Sequence, residues 1–108
     1  MKEGKSNLIL IGMPAAGKST VGVILAKELG YQFLDSDLLI QKREKMLLKD
    51  IIARKGTEGF LAVENMVNAA IEAQRTVIAT GGSAVYGREA MKHLGEIGEI
   101  IYLKISYA

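Results

Sequence analysis

The chain has 108 residues, of which 49% are hydrophobic and 24% are charged, and its formal net charge is +2. This composition is typical of one folded domain, and the scattered Lys and Arg residues form no basic stripe of the kind that binds nucleic acid. The chain has no cysteine, which excludes disulfides, zinc–thiolate sites and a thiol nucleophile.

The charged amino terminus is followed by an apolar run that Gly12 and Pro14 interrupt. This run is too short for the hydrophobic region of a signal peptide, and no stretch approaches the roughly 18 apolar residues of a membrane-spanning helix. We therefore expect a cytoplasmic protein that binds neither a membrane nor nucleic acid.

The first half of the chain predicts two strand–helix units. An apolar run predicts a buried strand over residues 7–11, and apolar residues at helical spacing predict a helix over 18–29. Residues 31–34 predict a second short strand. Residues 38–54 predict a helical region that breaks near Met46.

The second half continues this alternation. A long amphipathic helix is predicted to begin with Thr57 as N-cap and to reach Ile71. Residues 75–80 predict a third strand, 89–94 a short helix and 100–105 a fourth strand. Strands that alternate with helices predict an α/β fold, a three-layer sandwich in which helices cover both faces of a parallel sheet of about four strands.

A phosphate-binding loop lies between the first strand and the first helix. Its glycines let backbone N–H groups point at phosphate oxygens, Lys18 supplies a charge for the β- and γ-phosphates, and the Ser19 hydroxyl suits Mg²⁺. The alternative is an ordinary glycine-rich turn. The strand-to-helix context favours the binding of a nucleoside triphosphate. The predicted binding residues are Gly12, Met13, Pro14, Ala15, Ala16, Gly17, Lys18, Ser19 and Thr20.

Two aspartates follow the second strand. Asp35 is a candidate magnesium ligand, and Asp37 is placed to hold an acceptor hydroxyl or to take its proton. The alternative is that Asp-Ser-Asp caps the next helix, and one aspartate can serve both purposes.

Gly81, Gly82 and Ser83 follow the third strand. The carboxyl ends of parallel strands meet at one edge of a sheet, so this turn, the aspartates and the phosphate loop are predicted to converge there. Gly81 and Gly82 would let a small substrate touch backbone N–H groups, and an ordinary turn is the alternative. His93 has no partner in the pattern and is interpreted as a surface helix residue without a role.

Four motifs occur in the order and spacing of one known family. They are Gly-Met-Pro-Ala-Ala-Gly-Lys-Ser-Thr, Phe-Leu-Asp-Ser-Asp, Gly-Thr-Glu-Gly-Phe and Ala-Thr-Gly-Gly. Together they resemble the shikimate kinase family, whose fold is similar to that of the nucleoside monophosphate kinases. That family uses MgATP to phosphorylate the 3-hydroxyl of shikimate, in the pathway that leads to aromatic amino acids.

The resemblance implies a role for each matching residue. Lys18 and Ser19 would serve ATP and Mg²⁺, and Asp35 would support the metal. Lys18 and Asp37 would be the catalytic residues. Asp37, Gly81 and Gly82 would bind the substrate, and we expect a full-length protein of this kind to be a monomer.

Two positions depart from the family pattern. Leu61 follows Phe60 where the family has an arginine that pairs with the shikimate carboxylate, and Ser83 stands where a third glycine is usual. Glu64 matches the acidic residue one helical turn beyond the arginine position. These departures leave two alternatives open: a kinase for a different small polyol, and a nucleotide-binding module that no longer catalyses.

The last residues raise a further expectation. Ser106 resembles a helix N-cap although the chain stops at Ala108, so residues 1–108 are expected to be the N-terminal portion of a kinase domain. The resemblance implies that a mobile lid with a catalytic arginine, a later substrate-binding arginine and the adenine-contacting segment would all lie further on. We therefore expect little or no kinase activity from the 108 residues alone, and the nucleobase preference is left open.

Overall fold

The structure, a computed structural model, describes residues 6–12 and 15–103, without the side chains of Ala15 and Ala16. Within these ranges the strands form one parallel sheet of four, in the order β2-β3-β1-β4. The strands are β1 (Asn7–Gly12), β2 (Gln32–Asp35), β3 (Thr76–Ala79) and β4 (Gly98–Leu103).

Helices connect the strands. The α-helices of the described residues are α1 (Ala15–Leu29), α2 (Ser36–Glu44), α3 (Leu48–Ala69) and α4 (Arg88–Ile97), with one short 3₁₀ turn at Ala84–Tyr86. Helix α1 begins before the predicted start at residue 18, because alanine has the highest helix propensity and two alanines precede Gly17.

Two glycine-like conformations shape the region between β2 and β3. Lys45 ends α2 in a left-handed conformation with φ 58°, which confirms the predicted break near Met46. Gly56 has φ 74° and ψ 174°, which is not a helical conformation, so α3 consists of two helical segments that meet at Gly56. The predicted boundary between the helical region over 38–54 and the helix from Thr57 is therefore confirmed.

Apolar side chains pack on both faces of the sheet. Helix α1 covers one face, where Leu10, Val77 and Ala26 are buried together. The other face buries a cluster that includes Ile9, Ile78 and Leu94 against α4 and the segment that follows α3. A further cluster lies between α2 and α3. The predicted three-layer α/β sandwich is confirmed.

This topology creates a crevice at the carboxyl edge of the sheet. The chain leaves β1 into α1 on one face, whereas it leaves β3 toward α4 on the other face. Where neighbouring strands send their connections to opposite faces, ligands bind beyond the carboxyl ends of those strands. Residues 104–108, which include the end of the predicted fourth strand and Ser106, lie outside the described residues.

His93 lies on α4, as predicted, but it has a partner that the sequence pattern did not indicate. Its Nε2 lies 2.6 Å from the carbonyl oxygen of Ile71, and the side chain is half-buried. This contact forms because α4 packs against the segment that follows α3. Among the helices of the described ranges, none has the length and apolar character that a bilayer crossing requires.

Candidate functional site

The phosphate loop begins at the end of β1, at a residue that has to be glycine. Gly12 has φ 109°, and a methyl group there would lie 2.5 Å from the Leu103 carbonyl oxygen of β4. Met13 and Pro14 lie outside the described residues. Gly17, Lys18, Ser19 and Thr20 follow in the first turns of α1, so the positive end of the helix dipole is directed toward the carboxyl edge of the sheet.

Asp35 uses its two carboxylate oxygens for different purposes. Oδ2 accepts a 3.0 Å hydrogen bond from the Ser19 hydroxyl on α1. Oδ1 accepts from the backbone N–H groups of Asp37 at 2.9 Å and Leu38 at 3.4 Å, which makes Asp35 the N-cap of α2. Asp35 thus both caps α2 and contacts the serine of the phosphate loop.

Lys18 is fully buried and lies among three carboxyl groups. Burial lowers the pKa of the Lys18 ammonium group, and the nearby charges of Asp37, Asp35 and Glu64 oppose that lowering. The three acidic groups thus partly offset the cost of burying the Lys18 charge.

Asp37 is half-buried beside this cluster. Burial raises the pKa of its carboxyl group, the charge of Asp35 raises it further, and Lys18 acts in the opposite direction. A carboxyl group with a raised pKa is a better proton acceptor near neutral pH than an ordinary exposed aspartate.

The turn after β3 places Gly81 between two carboxyl groups. A methyl group on Gly81 would lie 2.7 Å from Asp37 Oδ1 and 2.8 Å from Glu64 Oε2. Gly82 is exposed, and a methyl group there would meet nothing within 4 Å among the described residues. The turns that follow the first three strands therefore meet at one edge, as their order along the chain predicts.

Sequence reasoning did not find two contacts at this edge. The Ser83 hydroxyl donates a 2.7 Å hydrogen bond to Oε1 of Glu64, a residue that is only 2% exposed. Burial raises the Glu64 pKa, and Asp37 raises it further, whereas the Ser83 hydrogen bond and Lys18 lower it. Thr80 donates from Oγ1 to the Leu10 carbonyl oxygen at 2.8 Å and so ties the end of β3 to β1. The sequence signal for the first contact was Glu64 itself, a charged residue on a mostly apolar face of α3.

The comparisons with known proteins agree with this arrangement. A family model described as shikimate kinase matches residues 14–108. The chain belongs to the shikimate kinase family. The resemblance that the four motifs predict is thereby confirmed.

Individual members of the shikimate kinase family show how much of a member the chain covers. Shikimate kinase 2 of Yersinia pseudotuberculosis serotype O:3 (strain YPIII) is 40% identical over 101 residues, which are 94% of this chain and 58% of the relative. Shikimate kinase 2 of Yersinia enterocolitica serotype O:8 is 38% identical over 99 residues, 92% of this chain and 57% of the relative. The chain thus spans less than two thirds of the length of these relatives.

Solved shikimate kinase structures share the fold. Shikimate kinase from Acinetobacter baumannii, in complex with shikimate, has a TM-score of 0.84 and 33% identity, over 94% of this chain and 57% of that one. Shikimate kinase from Aquifex aeolicus has a TM-score of 0.78 and 33% identity, over 94% of this chain and 61% of that one.

Leu61 is integrated into the apolar packing of this family member. It follows Phe60 on α3 and packs against the cluster between α2 and α3. A leucine side chain offers no donor to a substrate carboxylate, so the described part of the site has no guanidinium group at this position.

The Ser19–Asp35 pair fits the magnesium ion that the family implies. No group of three or more His, Cys, Asp or Glu side chains within the described ranges is arranged to hold a metal ion. Mg²⁺ does not need such a group, because it keeps several waters and usually takes one or two carboxylates together with substrate phosphates. One hydroxyl and one carboxylate oxygen at 3.0 Å suit that pattern.

Proposed function

We propose that this chain binds MgATP and takes part in phosphoryl transfer to a hydroxyl group of a small metabolite. Shikimate, converted to 3-phosphoshikimate, is the first candidate acceptor. The observation that carries the proposal is the hydrogen bond from Ser19 to Asp35, which brings the phosphate loop to the acidic end of β2 beside buried Lys18. Family membership and the shikimate bound to the Acinetobacter baumannii neighbour support this choice of acceptor.

Each residue has a part in the proposed reaction. The backbone of residues 12–20 and the Lys18 ammonium group hold the β- and γ-phosphates, and Ser19 and Asp35 hold Mg²⁺. Bound Mg²⁺ supplies neutralisation of phosphate charge. The acceptor oxygen forms a bond to the γ-phosphorus while the bond from that phosphorus to the ADP oxygen breaks, and Asp37 takes the hydroxyl proton. Gly81 and Gly82 line the acceptor side.

The proposal also covers the cofactors, partners, location and domain of the protein. ATP is the co-substrate and Mg²⁺ the cofactor, and the partners are small molecules rather than nucleic acid or a membrane. We propose a cytoplasmic protein that is monomeric at full length, whose first 108 residues form the N-terminal portion of the kinase domain.

Calorimetric titration of the chain with ATP, with and without Mg²⁺, tests the proposal. Lys18→Ala is expected to weaken ATP binding at least about tenfold, because a charge-assisted hydrogen bond contributes about 1.5–3 kcal/mol. Lys27→Ala is the matched control, since Lys27 is an exposed lysine in the last turn of the same helix. Equal ATP binding by the wild type and Lys18→Ala would contradict the proposal.

Leu61 favours a second candidate, a kinase for a different small polyol that lacks a carboxylate. Loss of a charged partner from a buried ion pair costs about 2–5 kcal/mol, which would weaken shikimate binding strongly. Titration with shikimate and with its uncharged methyl ester, each beside a non-hydrolysable ATP analogue, separates the two candidates. Tighter binding of the ester would favour the second candidate. The third alternative, a non-catalytic module, is tested on a full-length protein that contains residues 1–108, because little kinase activity is expected from these residues alone. MgATP binding by that protein without transfer to any acceptor of a panel would indicate such a module.

A further inference from the structure

A single buried carboxyl group on α3 holds both ends of the turn after β3. Glu64 Oε1 accepts the 2.7 Å hydrogen bond from the Ser83 hydroxyl. Glu64 Oε2 lies 2.8 Å from the place that a methyl group on Gly81 would occupy, so the two groups are in close contact. Gly82 lies between these two points and is exposed. The carboxyl group thus contacts Gly81 and is hydrogen-bonded to Ser83, on either side of the exposed Gly82.

Glu64 depends on Ser83 because it has little else to bind. Its Oε2 is buried and has no hydrogen-bond partner among the residues that the structure describes. A buried carboxyl group is costly unless it is hydrogen-bonded or paired with a cation. A cation one turn earlier on α3 would reach it, but Leu61 occupies that position and packs into the apolar cluster. The charged groups that act on Glu64 come from other elements, namely Lys18 on α1 and Asp37 on α2.

We propose that Ser83 is a positioning residue for the acceptor, which acts through Glu64 to hold the backbone of Gly81 and Gly82 beside Asp37. The Ser83 hydroxyl thereby satisfies the buried Glu64 carboxyl group, a task that a cation at position 61 could otherwise perform. The inference rests on the proposed function in one respect, namely that the acceptor binds at this turn.

The consequence of losing the hydroxyl follows from the geometry. Without Ser83 Oγ, neither oxygen of the buried Glu64 carboxyl group has a hydrogen bond from this turn. The carboxyl group then rotates toward Lys18, and the contact that fixes Gly81 is lost. The acceptor side of the site is disturbed, whereas the nucleotide side, built on α1, keeps its Ser19–Asp35 hydrogen bond.

Hydrogen exchange in the free chain tests the holding of the turn. We expect Ser83→Ala to speed exchange of the backbone amides of residues 81–85 about tenfold, as expected for one lost hydrogen bond to a carboxylate. Ser83→Thr keeps the hydroxyl and is expected to retain the wild-type rates. Adding Leu61→Arg to Ser83→Ala is expected to slow exchange again, because arginine at that position reaches Glu64. Exchange within about twofold of the wild type in Ser83→Ala would overturn the proposal.

Ligand affinities test the acceptor role. We expect Ser83→Ala to weaken shikimate binding about tenfold while it changes MgATP affinity less than about twofold, and we expect Ser83→Thr to restore shikimate binding. Equal losses for both ligands would overturn the positioning role. These titrations use the full-length protein, because a later substrate-binding arginine is expected beyond residue 108, and absence of shikimate binding by the full-length wild type would contradict the proposed acceptor instead. The exchange experiment contains no ligand, so it decides the holding of the turn in either case.

Discussion

The Ser19 hydroxyl on α1 donates a 3.0 Å hydrogen bond to Asp35 Oδ2 at the end of β2. The other oxygen of Asp35 caps α2, so one side chain joins the phosphate loop, a strand end and a helix start. Because the two oxygens act separately, we expect substitutions to separate the contribution of Asp35 to Mg²⁺ binding from its contribution to the stability of the fold.

Asp35→Asn is expected to keep the fold and to weaken the Mg²⁺ dependence of ATP binding. Asparagine is as good an N-cap as aspartate, but it lacks the charge that a magnesium ion prefers. Asp35→Ala removes the cap as well and is expected to lower the free energy of unfolding by about 1 kcal/mol. Urea unfolding and calorimetry with and without Mg²⁺ measure the two effects. Equal unfolding free energies for the Asn and Ala variants would contradict this separation.

Gly81→Ala is expected to destabilise the chain by about 1–3 kcal/mol, because an added methyl group would overlap the carboxylate oxygens of Asp37 and Glu64. Gly82→Ala is the matched control, since a methyl group there meets nothing within 4 Å among the described residues. The control is expected to change the unfolding free energy by less than about 0.5 kcal/mol. Thermal and urea unfolding of both variants measure the difference, and equal effects would show that the turn is not fixed as described.

Glu64→Gln is expected to change the pH dependence of stability. The folded-state pKa of Glu64 is raised above its ordinary value of 4.5 by burial, so folding favours the protonated form. The stabilisation is complete below the unfolded-state pKa and is lost as the pH rises through the folded-state pKa. Glutamine does not titrate, so the stability of Glu64→Gln relative to the wild type is expected to increase with pH.

Urea unfolding between about pH 4 and pH 8 measures this change. Lys18, Asp37 and Ser83 surround Glu64 in both proteins, so their own contributions largely cancel in the comparison. The matched control is Glu58→Gln at an exposed position of the same helix, which is expected to leave the pH profile unchanged. A constant difference between Glu64→Gln and the wild type would contradict the prediction.

Asn7→Leu is expected to lower the free energy of unfolding by about 2–4 kcal/mol. Asn7 is 1% exposed, and its amide group donates to the carbonyl oxygens of Ala73 at 2.8 Å and Ile97 at 2.9 Å. It also accepts from the Thr76 backbone N–H at 3.0 Å. Leucine leaves all three backbone groups without this partner. The Thr76 N–H is buried and costs about 1–3 kcal/mol, and the two partly buried carbonyl groups add less each. Urea unfolding measures the loss, with exposed Lys92→Ala as the control. A loss below about 1 kcal/mol would contradict the prediction.

Much of the fold follows from local patterns in the sequence. The apolar runs predict all four strands to within a few residues, because strand pairing in a buried parallel sheet requires continuous apolar segments. The break at Gly56 also follows from the sequence, because glycine adopts a positive φ without strain. The start of α1 was missed, because the residues that precede Gly17 belong to the phosphate-loop motif and also continue the helix.

The sequence by itself determined the family, the layered α/β architecture and the edge at which the turns meet. These properties depend on residue types at short spacings and on the order of strands and helices, both of which can be read along the chain. The tertiary structure alone decided how the side chains pair. The Ser83–Glu64 hydrogen bond, the Ser19–Asp35 hydrogen bond and the contact of His93 with Ile71 join residues that are distant in sequence. Their partners are set by how helices pack on the sheet, and no local pattern carries that information.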